Sequence, residues 1–211
     1  MAIYLDSASA DELRQAVALG FVVGVTTNPA LLAGVDEPAE RVVLELCDLL
    51  NDGLVFYQLT ASTVEEREKE ARRVAGLRPG RIGLKIPATT ENMSLLTRLV
   101  RDGTVCAVTA LFSAHQAFLA CEAGAHYLVP YVNRSTRRLG DGVALIEEIA
   151  QVVRHTEAST EILAASFHSL PEVVAAVGAG TDHVTVPFNL LKALGDHSLS
   201  QQAIEEFAKF A

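Results

Sequence analysis

Apolar residues fall along this chain in short unbroken runs, separated by longer stretches in which they recur at helical spacing. The runs at 2–6, 21–26, 53–59, 81–87, 104–110, 125–132, 160–166 and 182–186 predict strands. They are continuous rather than alternating, as expected of strands buried on both faces beneath helices. The stretches between them predict helices at 8–20, 38–50, 62–76, 91–102, 113–123, 141–155, 169–178 and 188–195. Start signals accompany several: Pro38 follows Asp36, Ser62 precedes Glu65 and Glu66, and Ser169 precedes Pro171 and Glu172. Gly20, Gly76, Gly103, Gly124 and Gly180 stand where helices should stop.

Eight strand–helix units within 211 residues, half of them hydrophobic, predict one α/β domain over 1–211, a (β/α)8 barrel. The alternative is an open doubly wound sheet; its dinucleotide-binding form is disfavoured because no GxGxxG follows the first strand. Residues 199–210 are left over, with Leu199, Ala203, Ile204, Phe207 and Phe210 at helical spacing. They predict an extra C-terminal helix, lying across the barrel or at a subunit interface. Exposure of Phe207 and Phe210 is unfavourable enough to make the interface at least as good a reading.

The formal charge of −9 argues against nucleic acid or an anionic membrane as the main partner, while leaving room for a local phosphate pocket. No apolar run approaches the roughly 20 residues of a membrane span, and the first residues lack the pattern of a secretory signal. Cys47, Cys106 and Cys121 are widely spaced without a CxxC pair, which fits apolar packing in a reducing cytoplasm. His115, His126, His155, His183 and His197 show no metal-ligand spacing, so no metal site is expected.

A barrel places its chemistry at the carboxyl ends of its strands. Those ends carry Asp6, Thr26-Thr27-Asn28, Gln58, Lys85, Thr109, Tyr131 with Asn133 and Arg134, and Ser166 with His168, above almost wholly apolar strand bodies. Lys85 is one of four lysines, with Lys69, Lys192 and Lys209, and sits in Ile82-Gly83-Leu84-Lys85-Ile86-Pro87. It shares a strand face with Gly83, opposite Leu84 and Ile86, which points it into the barrel axis. Burial there favours the neutral amine, the form that attacks a carbonyl. The competing reading is a lysine held in a salt bridge, for instance with Asp6.

Asp6 fits a general acid or base, or else a cap for the helix at 8–20. Gln58 does not titrate and suits the positioning of a water or hydroxyl, which Thr109 and Tyr131 could share. Arg134 and Ser166 would suit the phosphate of a sugar phosphate. Arg137 and Arg138, close behind, fit a solvated loop equally well. Each of these groups is also compatible with an ordinary hydrogen-bonded strand end.

Gly24-Val25-Thr26-Thr27-Asn28-Pro29 together with Leu84-Lys85-Ile86-Pro87 resembles the transaldolase family, in particular its short branch of small transaldolases and fructose-6-phosphate aldolases. The resemblance extends over Leu5-Asp6-Ser7-Ala8, Pro130-Tyr131-Val132-Asn133-Arg134 and Ala165-Ser166-Phe167. It implies a (β/α)8 barrel without cofactor or metal, with Lys85 as Schiff-base lysine and Asp6 as proton-transferring carboxylate. It further implies that Asn28 holds donor hydroxyls, that Thr109 helps place the catalytic water, and that Arg134 and Ser166 bind phosphate. Small members are usually pentamers or paired pentamers whose C-terminal helix reaches a neighbour.

Gln58 and Tyr131 follow the aldolase pattern, where transaldolases typically carry glutamate and phenylalanine. Val129 stands where transaldolases usually have a serine for the donor's terminal hydroxyl, implying a preference for hydroxyacetone over dihydroxyacetone. Ala107 replaces a larger side chain, and His168 stands where a second phosphate-binding arginine would be expected, implying weak binding of phosphorylated acceptors. The leading expectation is a Schiff-base aldolase acting on fructose 6-phosphate or related adducts, with transaldolase as the close alternative. A non-covalent isomerase and a sugar-phosphate-binding protein are the readings from other classes.

Overall fold

Each continuous apolar run forms the heart of a strand, because both of its faces find apolar cover. In chain order the strands are β1 Ala2–Asp6, β2 Val22–Thr26, β3 Val55–Gln58, β4 Ile82–Pro87, β5 Cys106–Leu111, β6 Tyr127–Pro130, β7 Glu161–Ala164 and β8 His183–Val186. The computed structural model, which describes residues 1–210, closes them into one parallel barrel in sequence order, with β1 pairing β8. The helices are α1 Ala10–Ala18, α2 Pro29–Ala33, α3 Ala39–Leu49, α4 Val64–Ala75, α5 Thr90–Arg101, α6 Ala114–Glu122, α7 Val132–Leu139, α8 Gly142–Thr156, α9 Leu170–Gly178, α10 Phe188–Ala193 and α11 Ser198–Phe207. A 3-10 turn at Ala208–Phe210 follows. The expected (β/α)8 barrel with an additional C-terminal helix is the observed architecture.

Strand parity divides the core in two. Leu5, Val25, Leu84, Ile86, Val108 and Leu128 face outward into the shell between strands and helices. Tyr4, Phe56, Ala107, Val129 and Leu163 belong to a second cluster that fills the barrel interior. Burial of each large side chain stabilises by about 1.5–3 kcal/mol. Gly83 has a specific task in this interior: a Cβ there would stand 2.6 Å from Cε1 of Phe56. The space that Gly83 leaves is therefore occupied by the Phe56 ring, which also meets Tyr127 edge-on at 5.4 Å. Lys85 lies two residues further along the same face.

The structure adds two helices to the predicted pattern. Asn28 caps α2, its Oδ1 accepting from the N–H groups of Ala30 and Leu31 at 3.0 Å each, with Pro29 pre-set for the first turn. The predicted strand 125–132 ends at Pro130, and the expected arginine loop behind it is α7. α7 has no side-chain cap and is only eight residues long, so its start signal is weak. Thr63, not Ser62, caps α4, and it forms a capping box with Glu66. Gly20, Gly103, Gly124 and Gly180 adopt positive φ as helix stops, whereas Gly76 ends α4 with a right-handed φ of −71°. No helix among the described residues is long and apolar enough to cross a membrane.

α11 buries none of its residues against the barrel: Leu199, Ile204 and Phe207 are all more than half exposed, and Phe210 beyond it is 90 % exposed.

Candidate active site

The register that closes the barrel also brings the polar strand ends together. Asp6 pairs with Thr26 across β1–β2, Gln58 with Lys85 across β3–β4, and Thr109 with Val129 across β5–β6. Above them opens a cavity of about 470 Å³ lined by Asp6, Thr26, Asn28, Gln58, Lys85, Tyr131, Arg134 and Ser166, among others. Thr109 and Val129 do not line it. Both are fully buried, Val129 in the interior cluster together with Tyr131 and Ala107. Ala107 opens no space to the cavity.

Lys85 is 4 % exposed, and its Nζ donates to the carbonyl of Thr27 at 2.8 Å. Burial pushes its pKa down to about 8, with the Asp6 carboxylate pulling the other way. At pH 7 the neutral fraction is then roughly one in ten, against about one in a few thousand for an ordinary lysine. No direct ion pair with Asp6 forms; the amine rests on a main-chain carbonyl instead. Thr27 is itself fixed, its Oγ1 donating to the carbonyl of Phe56 at 2.8 Å.

Asp6 does not cap α1, because Ser9 does: its Oγ accepts from the Glu12 N–H at 3.3 Å. The Asp6 carboxylate accepts from Thr26 Oγ1 at 3.0 Å, and that hydroxyl lies 2.7 Å from Thr185 Oγ1. Burial raises the Asp6 pKa, while Lys85 and the Thr26 hydrogen bond draw it back. Burial thus moves the acid up and the amine down, which narrows the gap across which a proton passes between them. Asn28 spends its carbonyl on the α2 cap, so its amide NH2 is what it can offer a ligand. Gln58 Oε1 is buried without a hydrogen-bond partner in the protein and is free to accept from a hydroxyl.

Thr109 reaches the cavity only through Tyr131, their oxygens being 2.7 Å apart. The Arg134 guanidinium lies over the Tyr131 ring, 4.7 Å from its centre. Opposite, Ser166 holds a left-handed backbone with φ 63°, an arrangement that costs of order 1 kcal/mol or more for a non-glycine residue. His168 lines the same rim.

Glu172 secures this strained segment. It accepts from the main-chain N–H of His168 at 2.7 Å and of Ser169 at 3.1 Å, and from Asn133 Nδ2 at 2.6 Å. The last bond ties α7 to α9, and with the first two it sets Arg134 on α7 relative to the β7–α9 loop that carries Ser166. Burial works against ionisation of Glu172, but these hydrogen bonds outweigh it and lower its pKa. The sequence signals only the local half of this role, a glutamate three residues into a helix after Ser169. Thr185 and the Thr27 carbonyl carry no sequence signal of their roles.

A family model described as Transaldolase/Fructose-6-phosphate aldolase matches residues 3–211. A protein of Caldicellulosiruptor saccharolyticus named "Probable transaldolase" is 37% identical over 99% of this chain and 96% of its own length. One of the same name from Roseiflexus castenholzii is 40% identical over 98% of this chain and 95% of its own. Among solved structures, a mandelate oxidase mutant superposes on 92% of this chain with a TM-score of 0.62 at 15% identity. This chain spans 65% of that protein, and the likeness is one of fold. By its sequence over nearly its whole length, the chain belongs to the transaldolase/fructose-6-phosphate aldolase family.

Proposed function

We propose that this protein is a Schiff-base aldolase that cleaves or forms fructose 6-phosphate-type adducts from a hydroxyketone donor and an aldehyde acceptor such as glyceraldehyde 3-phosphate. The observation that carries the reading is Lys85, a buried amine with pKa near 8 at the base of a polar cavity, beside a carboxyl group raised by burial. The neutral amine adds to the ketose C2 carbonyl and loses water to give an iminium. Asp6 takes the C4 hydroxyl proton, and the electron pair of the C3–C4 bond flows into the iminium. An aldehyde departs, leaving a three-carbon enamine on Lys85. Arg134 and Ser166 hold the phosphate, while Asn28 and Thr26 orient donor hydroxyls.

Aldolase and transaldolase part company at the enamine. An aldolase protonates it at C3 and hydrolyses the iminium, returning ketone and free amine; a transaldolase passes it to a second aldehyde. The Tyr131–Thr109 hydroxyl pair and the unpaired Gln58 Oε1 support hydrolysis, since both suit a water near the bound fragment. The relatives named "Probable transaldolase" favour the transfer reading, in which a dihydroxyacetone unit would pass between sugar phosphates.

The test is incubation with fructose 6-phosphate alone. Release of glyceraldehyde 3-phosphate without an added acceptor supports the aldolase; turnover only with erythrose 4-phosphate supports the transaldolase. Borohydride with hydroxyacetone should modify Lys85, and failure to do so would sink both. The unpartnered apolar face of α11 supports a homo-oligomer, pentamer or decamer, in which α11 packs on a neighbour. Three unpaired, buried cysteines fit a reducing cytoplasm.

A further inference from the structure

α7 carries Arg134, Arg137 and Arg138 at i, i+3 and i+4, the spacing that sets three side chains on one helix face. Together they line a cavity of about 520 Å³. Arg134 also lines the reaction cavity, so the two share a guanidinium wall. Among the described residues none of the three forms an ion pair; Arg67, Arg81, Arg101 and Arg154 form none either, but those four are scattered over separate parts of the chain, whereas these three share one helix face. The one protein partner in the cluster is the Tyr131 ring under Arg134. Three like charges within about one turn repel one another. In a chain of net charge −9 carboxylates are plentiful, yet none is placed here to neutralise them. The end of a helix dipole favours Arg137 and Arg138 in the last turn of α7, but it does not account for a cavity walled by guanidinium groups.

We propose that this face is a second anion site, continuous with the reaction cavity, which receives the distal anionic group of a substrate that carries two. The first group sits between Arg134 and Ser166, so the inference rests on the phosphate role given to them above. Arg134 and Arg138 are about 6 Å apart along the helix axis, and their planar forks match phosphate oxygens two at a time. The chemical class is an aldehyde or sugar bearing two phosphate groups, the outer one reaching past the mouth of the barrel. The cluster also supplies the second arginine that His168 replaces on the rim, from a different element.

Inorganic phosphate and tripolyphosphate, titrated calorimetrically into the full chain at constant ionic strength, test this. Tripolyphosphate should bind the wild type about tenfold more tightly than phosphate or better. Arg137→Ala/Arg138→Ala should bring the two affinities to within about twofold. Arg101→Ala/Arg154→Ala removes the same charge from exposed positions elsewhere and should leave the wild-type ratio intact. No preference in the wild type, a ratio unchanged by Arg137→Ala/Arg138→Ala, or equal loss in both double variants overturns the proposal. Borohydride trapping at Lys85 is read independently, so failure of the anion site and failure of the Schiff-base reading are separate results.

Discussion

Thr109 Oγ1 and Tyr131 Oη stand 2.7 Å apart across neighbouring strands, and through Tyr131 the wholly buried threonine acts on the cavity. A water held by this pair would hydrolyse the enzyme-bound fragment. Tyr131→Phe should lower acceptor-free cleavage of fructose 6-phosphate by about 10–100-fold while transfer to erythrose 4-phosphate persists. Thr109→Val should lower cleavage similarly. Equal loss of cleavage and transfer in Tyr131→Phe would show that the hydroxyl does not select between the two outcomes.

The amine of Lys85 sets a pH dependence of known sign. Its pKa is depressed by burial to about 8, so the rate of borohydride trapping with hydroxyacetone should rise with pH and level off above about 8. Its effect on stability follows from the same shift. Between about 8 and the ordinary lysine value of about 10.4 the unfolded chain holds more protons than the folded one, so this group's contribution to stability grows with pH across that window. Below it, the buried cation is a standing cost. Lys85→Met should abolish trapping and stabilise the protein at pH 7 by about 1–3 kcal/mol, read as a higher Tm.

Ser166 keeps a non-glycine side chain at φ 63°, and the proposed function gives its hydroxyl a phosphate to bind. Ser166→Gly should keep or raise Tm while raising KM for phosphorylated substrates. Ser166→Val puts a β-branched side chain in the left-handed region and should lose about 2 kcal/mol.

Glu172→Ala should cost about 1–2 kcal/mol, because three donors lose their acceptor. Since the folded-state pKa of Glu172 is lowered, its stabilisation is present above the ordinary glutamate value and lost as pH falls through the folded one. The wild type should therefore lose more stability on acidification than Glu172→Ala. KM for phosphorylated substrates should rise in Glu172→Ala, with trapping of hydroxyacetone retained at Lys85.

Deleting residues 198–211 removes a helix that buries nothing on its own barrel. The shortened chain should keep its far-UV circular dichroism apart from that helix and sediment as a smaller species than the full protein. An unchanged sedimentation coefficient per subunit count would remove α11 from the interface.

The barrel was legible in the sequence because burial on both strand faces leaves unbroken apolar runs, and a lysine at 85 or an aspartate at 6 contrasts sharply with such runs. α2 left a legible trace in Asn28-Pro29, which the strong strand signal before it obscured. α7 was not legible: Val132–Leu139 is short, rich in arginine and uncapped, so only tertiary packing decides that it is helical. The Glu172–Asn133 clamp joins residues 39 apart in sequence, and spacing carries no information about such a bond. Thr109 reads as a cavity residue from its strand-end position and Val129 from the family resemblance, yet each lies one layer below. The left-handed backbone of Ala110, where β5 shifts register with φ 57°, likewise has no signature in an alanine.

The Phe56 ring lodged against Gly83 gives the reaction chamber a floor. The interior below is filled by the fully buried Phe56, Ala107, Val129 and Leu163, and the face of Lys85 open to a ligand is the one on the cavity. A donor tethered to the amine lies at the innermost point, and whatever aldehyde accompanies it stands between it and the exit. In the proposed Schiff-base cycle the ketone would then be first in and last out, and the aldehyde would clear the threshold before the tethered fragment followed. An aromatic ring resting on the smallest residue in the strand would thus set the order of events in that cycle.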